Sequence, residues 1–430
     1  MGPRTSLALG GRAKGRPAMA RDVVGADCTG SGGAVVPEKR SSEYARFRRS
    51  YLMAFLCAAS SDWLKGPYIY RFYEARGFQP QEITVLFAAG YLSSAFFGVV
   101  AGVLTDALGR RRMCLCFCAL YTLHCALHAA EGFWLLLLAR AVSGVATALL
   151  FSAFEAWLVA EHGRQFPERA NELAGVFATQ TQGNALAAVA SGVAAQLAVL
   201  AMGYAGPFAV ATPLLALCAR EVRKWPENAG NGQRDPREVL RAALAGMNSV
   251  VARVGLLQCL FEGSMHVFVF LWTPCLQRSG HSVPHGLVFS LYMLCMMAGG
   301  RQCAGRFRPP LGWVFAVAAA CLIAPRVSEG LWGNLAAFCC FEWCVGCYFP
   351  QIAVLRSRHL SNESRGATIT LFRVPFNCIV VAVLVYGRAL PPQAMLSFAS
   401  GALACGALAC WSLPKEASVG GSGPDAAKAD

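Results

Sequence analysis

Between Leu173 and Ala219 the chain runs 47 residues without an Asp, Glu, Lys or Arg. One bilayer crossing needs about 20 apolar residues, so this run has room for two. Ile83 to Thr105 is uncharged as well and fits one more. Only 14% of the 430 residues are charged, against about 25% in an ordinary soluble chain, so there is too little polar surface for hydrated domains. An ordinary cytosolic enzyme, a disordered regulator and a nucleic-acid-binding domain are poor readings, although the net charge is +14.

Apolar runs of membrane-spanning length recur twelve times. In the first half they cover 50–70, 83–105, 113–130, 133–157, 173–200 and 203–219. In the second they cover 250–276, 284–304, 310–325, 331–355, 366–387 and 393–413. Hydrocarbon offers no partner for backbone N–H and C=O groups, and the alternation of a membrane barrel is missing, so each run is expected to be a helix. The expected fold is an all-α polytopic membrane protein with twelve transmembrane helices in two six-helix bundles. The expected division is a disordered basic tail over 1–49, bundles over 50–219 and 250–414, a basic linker over 220–249 and a disordered tail over 415–430.

Placing both termini in the cytoplasm puts 30 of the 38 Lys and Arg residues on the inner side and five in outer loops. This is the bias that orients multi-pass proteins. It also explains the excess of positive charge without nucleic acid as a partner, because basic segments beside an anionic leaflet give the same balance. The plasma membrane is the expected location. The Arg-rich, Ser-rich start of the chain also fits an organelle transit peptide.

The nineteen cysteines fall mostly within the spans, where a free thiol behaves as a small hydrophobe. Cys344 and Cys347 form a C-x-x-C, and His124 and His128 stand one helical turn apart. Neither set has a second ligand pair at structural-zinc spacing, so both read as packing, and no metal or cofactor is expected.

Six helices, a basic connector and six more suggest an internal duplication. Asn171-Glu172-Leu173-Ala174-Gly175 is echoed by Asn362-Glu363-Ser364-Arg365-Gly366, and Phe154-Glu155 by Phe341-Glu342. Parallel repeats of this kind place a substrate site between them. The segment Gly102-Val103-Leu104-Thr105-Asp106-Ala107-Leu108-Gly109-Arg110-Arg111-Arg112 resembles the G-x-L-x-D-x-x-G-R-R/K signature of the major facilitator superfamily. Here Gly102 is expected to allow close helix contact, Gly109 a tight turn, and Asp106 a charge pair at a cytoplasmic gate. Ala107 departs from the basic residue often found there, and the second-half counterpart, Gly300 to Arg306, is degenerate. Arg140-Ala141-Val142-Ser143-Gly144 is similar to the superfamily's R-x-x-x-G pattern on the fourth helix.

Four longer strings narrow the likeness. Asp62-Trp63-Leu64-Lys65-Gly66-Pro67-Tyr68, Ala148 to Trp157, Phe268 to Pro274 and Phe372-Arg373-Val374-Pro375 resemble the molybdate-anion transporter family. The resemblance spans about residues 45–415 and implies secondary active uptake of molybdate; composition and spacing do not give that substrate. It leaves open a related transporter of sulfate, an organic anion or a sugar, and a non-transporting receptor that kept the fold. An intramembrane enzyme is not expected, since no H-E-x-x-H, G-x-S-x-G or P-loop pattern is present.

An ionisable side chain at mid-membrane costs about 2.5 to 3.5 kcal/mol, so each calls for a partner or a task. The spans hold three cations, Lys65, Arg140 and Arg373, and four carboxylates, Asp62, Glu155, Glu262 and Glu342. All seven are expected to face a central cavity. Arg forks and a Lys ammonium suit a tetrahedral dianion, so Arg373, Arg140 and Lys65 are the candidate clamp. Gln180, Gln182 and Asn184 are candidate neutral donors. The bland alternative is that Arg140 and Arg373 are satisfied by Glu155, Glu342 or helix carbonyls, that Lys65 snorkels outward, and that the amides only bind helices together. Moving a dianion inward against 100 mV costs about 4.6 kcal/mol, so concentrative uptake needs a co-transported cation or a steep gradient. Glu262 and Glu342 are the expected proton carriers, with Glu155 and Asp62 as further charge partners.

Overall fold

Every apolar run becomes a helix, because in hydrocarbon the i to i−4 ladder is the only way to satisfy the backbone within one segment. The computed structural model describes residues 35–229, 241, 244–305, 308–328, 330–360, 365–387 and 389–411. The helices of the first half are α1 (Val35–Trp63), α2 (Ile69–Ala75), α3 (Pro80–Leu108), α4 (Arg110–Leu127), α5 (Phe133–Leu150), α6 (Ala153–Gln165), α7 (Leu173–Met202) and α8 (Gly206–Arg223). Those of the second are α9 (Ser249–Gln277), α10 (His285–Ala304), α11 (Leu311–Val327), α12 (Leu331–His359), α13 (Arg365–Gly387) and α14 (Pro392–Trp411). By length and apolarity alone, six helical stretches among the described residues pass as bilayer spans. One of them, Pro167–Arg223, runs 57 residues and so has the length of two crossings.

Among the described residues two spans break between separate helices, and α3 bends by 53° between Gly98 and Val100. The first stops at Trp63, turns through residues 64–68 and resumes as α2. Pro67 lies in that turn and cannot donate to a helical ladder. The fourth breaks at Phe151 and Ser152, between α5 and α6.

The segment expected as a disordered tail over 1–49 is helical from Val35. Its charged residues extend α1 past the apolar run, since a helix satisfies its own backbone in water as in lipid. Of the described residues, those up to Arg46 form one unit and those from Phe47 onward form a second, which holds the spans. The linker expected over 220–249 is likewise structured at its start, where α8 runs on to Arg223 and residues 225–228 dock on neighbouring helices. The repeated Asn362-Glu363-Ser364 string, Arg306 and the tail over 415–430 lie outside the described residues.

Within each half the tightest packing joins equivalent spans, α3 with α5 and α10 with α12. Glycines set both contacts. A Cβ on Gly144 of α5 would stand 2.8 Å from the backbone nitrogen of Ser94 on α3. One on Gly299 of α10 would stand 3.1 Å from the backbone nitrogen of Cys347 on α12. Cys344 and Cys347 belong to this second contact: both are fully buried, and the Cys347 thiol donates to the Gly299 carbonyl at 3.3 Å. The halves meet through α7 against α10 and α3 against α13.

Candidate functional site

A cavity of about 2650 Å³ lies between the two halves. Its lining follows α3 from Phe87 to Ala107 and α10 from Phe289 to Ala304, so it reaches the end of the molecule marked by Asp106. At the opposite end, marked by Glu74, the halves touch. Gln277 Nε2 donates to Glu74 Oε2 at 3.2 Å, Ser290 Oγ donates to the Val189 carbonyl at 2.8 Å, and the Phe87 and Phe270 rings pack at 4.9 Å. A Cβ on Gly286 would fall 2.8 Å from Gln196, so α7 and α10 cross at contact distance there.

Five of the seven charged residues expected within the spans line this cavity: Asp62, Lys65, Arg140, Glu262 and Glu342. Asp62 is the last residue but one of α1, and Lys65 sits in the turn after it. Only 5% of Lys65 is exposed; it does not snorkel outward. Its ammonium lies over the Tyr121 ring, 3.3 Å from the centroid, and has no hydrogen-bond acceptor among the described residues. Tyr121, on α4, donates its hydroxyl to Asp62. An ammonium this buried with no acceptor among the described residues is costly, and a π face returns only part of that cost.

Arg140 and Gly144 are one helical turn apart on α5 and face the same glycine of α3. A Cβ on Gly90 would stand 2.9 Å from Arg140 Nη2, so Gly90 makes room for the guanidinium. Arg140 Nε donates to the Leu86 carbonyl at 3.3 Å, and its guanidinium lies 4.9 Å from the Phe87 ring centroid. A helix carbonyl therefore engages one of its five donors, and no carboxylate among the described residues pairs with it. The R-x-x-x-G pattern is a steric unit: the Gly brings α3 close and the Arg reaches past it into the cavity.

In the second half, Glu262 on α9 is 8% exposed and accepts from Tyr348 Oη at 3.3 Å and Gln258 Nε2 at 3.4 Å. Gln258 in turn accepts from Arg356 Nη1 at 3.4 Å. Glu342 on α12 is 5% exposed and forms no hydrogen bond or ion pair with a described residue. Arg373 lies on α13, and its side chain is outside the described residues.

Three expectations are corrected. Glu155 is exposed on α6 and does not line the cavity, because the break at Phe151 and Ser152 resets the helical face. Its repeat partner Glu342 sits on an unbroken helix and keeps the inward face, whereas Phe154 and Phe341 are fully buried alike. Gln180 also lies off the cavity, accepting from Tyr51 Oη at 2.8 Å. It is two residues from both Ala178 and Gln182, which line the wall, so it points roughly 200° away. Asn184 does line the cavity and accepts from Trp63 Nε1 at 3.0 Å. Gly102 makes no close helix contact: an added Cβ would meet nothing within 4 Å, because the cavity mouth opens beside it.

The rest of the Gly102 to Arg112 motif behaves as its chemistry requires. Asp106 pairs with Arg110, Oδ1 to Nη2 at 2.7 Å, and Gly109 has φ of 100°, a conformation that favours glycine. The bare N-terminus of α4 is capped from outside the motif. Glu227 accepts from the backbone N–H groups of Arg111 at 3.0 Å and Arg112 at 3.2 Å, and the Asn228 carbonyl accepts from that of Arg110 at 3.3 Å. Trp225 stacks on Trp157 at 3.9 Å and donates to Ser50 Oγ at 3.0 Å, fastening this strap across α6 and α1.

Tyr121, Gly90 and Glu227 are site residues that the sequence alone does not single out. Each acts through a partner far away in the chain, and none carries a local signal of its own.

A family model described as sugar transporters, 12 TM, matches residues 25–337. The molybdate-anion transporter of Xenopus tropicalis is 32% identical over 356 residues, covering 78% of this chain and 78% of that protein. That of Danio rerio is 32% identical over 385 residues, with the same coverage of both. The chain belongs to the molybdate-anion transporter family. Among solved structures, an auto-inhibited POT family peptide transporter superposes with a TM-score of 0.70 at 12% identity, covering 85% of this chain and 96% of that one. The inward-open xylose transporter XylE from E. coli gives 0.63 at 13%, with 84% and 94% covered. These likenesses fix the fold: twelve transmembrane helices in two six-helix bundles, the architecture of major facilitator transporters. The protein is a multi-pass membrane transporter.

Proposed function

We propose that this protein takes up molybdate by alternating access, holding the anion in the central cavity with Lys65, Arg140 and Arg373. The observation that carries the reading is the Lys65 ammonium, which is buried, borders the cavity and lacks an acceptor among the described residues. A tetrahedral dianion is the missing acceptor, because its four oxygens can take donors from several directions. Arg140 adds a planar fork that is bonded to the Leu86 carbonyl through Nε and to no carboxylate among the described residues. Arg373 belongs to the second half, so a clamp that includes it would tie the two bundles together around the cargo. Asn184 and Gln182 supply neutral polar groups on the α7 wall. A neutral sugar would leave the ammonium charge uncompensated, which argues against the sugar reading.

The closed Glu74 end and the open Asp106 end support a rocking cycle of the two bundles. With both termini in the cytoplasm, as the distribution of Lys and Arg favours, the open end faces inward and the Asp106–Arg110 pair sits at the inner mouth. The plasma membrane is the proposed location, and the work is translocation without chemistry.

Two negative charges moving inward at 100 mV cost about 4.6 kcal/mol, and a co-transported proton offsets part of this. Glu262 and Glu342 are the proposed proton carriers, because both are buried carboxylates in the cavity wall. The test is uptake of radiolabelled molybdate by purified protein in sealed vesicles, with pH and voltage imposed independently. Saturable uptake that rises with an inward proton gradient is expected. Absence of uptake against a working control would overturn the substrate assignment, and indifference to the gradient would overturn proton coupling.

A further inference from the structure

Lys65 and Asp62 stand three residues apart at the end of α1, yet they do not form an ion pair. Opposite charges this near in a poorly hydrated site attract strongly, and pairing would cancel the charge that an anion needs. Tyr121 is what separates them. Its hydroxyl donates to Asp62, and its ring lies beneath the Lys65 ammonium at 3.3 Å. Its own position is fixed by stacking on Phe117 at 5.1 Å and on His124 at 5.4 Å, and only 2% of it is exposed. His124 is held in turn, its Nδ1 bonded to the Ala139 carbonyl at 2.8 Å.

We propose that Tyr121 is a positioning residue that reserves Lys65 for the substrate oxyanion, by occupying Asp62 through its hydroxyl and supporting the ammonium on its ring face. This rests on the anion reading above. A π face stabilises a cation without a hydrogen-bond acceptor, so no donor of Lys65 is committed to an acceptor among the described residues. A carboxylate in the same place would take one donor and cancel the charge. The clasp thus lets one short sequence, Asp62 to Lys65, keep a carboxylate beside an ammonium without losing the ammonium to it. Of the other charged groups at the wall, Arg140 is the one on the adjoining α5, and a like charge cannot serve as acceptor.

Three variants test this in vesicles loaded for radiolabelled molybdate uptake. Tyr121→Phe keeps the ring but frees Asp62 to capture Lys65; KM rises about ten-fold, the worth of one charge-assisted hydrogen bond, while the maximal rate changes little. Tyr121→Phe combined with Asp62→Asn removes the competing carboxylate, and KM returns to near the wild-type value. Lys65→Gln sets the floor that the single variant approaches. A Tyr121 that only filled space would make the double variant worse than either single change. An unchanged KM in Tyr121→Phe, or no recovery in the double variant, overturns the proposal.

A second readout needs no substrate. Labelling of Lys65 by an amine-reactive reagent, followed by peptide mass spectrometry, falls in Tyr121→Phe and recovers in the double variant, because an ammonium held by a carboxylate reacts more slowly. Equal labelling in all three proteins overturns the clasp. If labelling follows this pattern but wild-type vesicles take up no molybdate, the substrate assignment fails and the clasp stands.

Discussion

The two walls of the cavity carry opposite chemistry. Deep in the cavity the first-half wall offers Lys65 and Arg140, neither bonded to a carboxylate among the described residues, and the acid beside them, Asp62, is engaged by Tyr121, while Asp106 at the mouth pairs with Arg110. The second-half wall offers Glu262 and Glu342. Glu262 is bonded to an amide and a phenol and Glu342 to no described residue. A bundle stabilised by its charges would pair them across the gap. Here neither Lys65 nor Arg140 is bonded to a carboxylate among the described residues, which suits a wall that receives an anion. The two halves of one scaffold thus present different side-chain chemistry to the same cavity.

Stripping the first wall is the severest way to break this contrast. Lys65→Gln removes the unpaired ammonium, and uptake at low molybdate should fall about 10- to 100-fold, the equivalent of roughly 1.5 to 3 kcal/mol for a hydrogen bond to a charged group. Initial-rate uptake in vesicles measures it. Altering the second wall should leave binding and change coupling. Glu342→Gln should abolish stimulation by a pH gradient while retaining counterflow exchange of molybdate, and the same change at Glu262 shows whether its bonds to Tyr348 and Gln258 withdraw it from the role.

Smaller effects probe the scaffold beneath each wall. Gly144→Ala forces a methyl group against Gly90 and Ser93 of α3 and should destabilise the first bundle by about 1 to 3 kcal/mol, read as lower thermal stability in detergent. Gly175→Ala, where an added Cβ meets nothing within 4 Å, is the matched control. Glu227→Ala removes the cap from α4 and should cost about 0.5 to 2 kcal/mol, followed in the same melts.

The spans are legible because each apolar run is long and hydrocarbon leaves the backbone no choice but helix. Lys65 and Arg140 are legible because a charge inside such a run is expensive. The face each residue presents is less so. Glu155 and Glu342 occupy matching Phe-Glu pairs, yet a two-residue break before α6 turns one outward, and an apolar string does not mark where a helix breaks. Gly102 departs from expectation because a motif names residue types but not whether a gate is open beside them. Tyr121 cannot be read from the sequence at all: it lies 59 positions from Asp62, and a tyrosine in an apolar helix looks like any other core residue. The strap at Trp225 to Asn228 is hidden by the basic linker around it.

The most direct test of the account is equilibrium binding of radiolabelled molybdate to purified protein, comparing the wild type with a Lys65→Gln, Arg140→Gln double variant. Both proteins should first be shown to melt alike. A clamp built on these two cations binds molybdate saturably in the wild type, with displacement by tungstate and not by a neutral sugar, and the variant does not bind. Equal binding by the two proteins would contradict it.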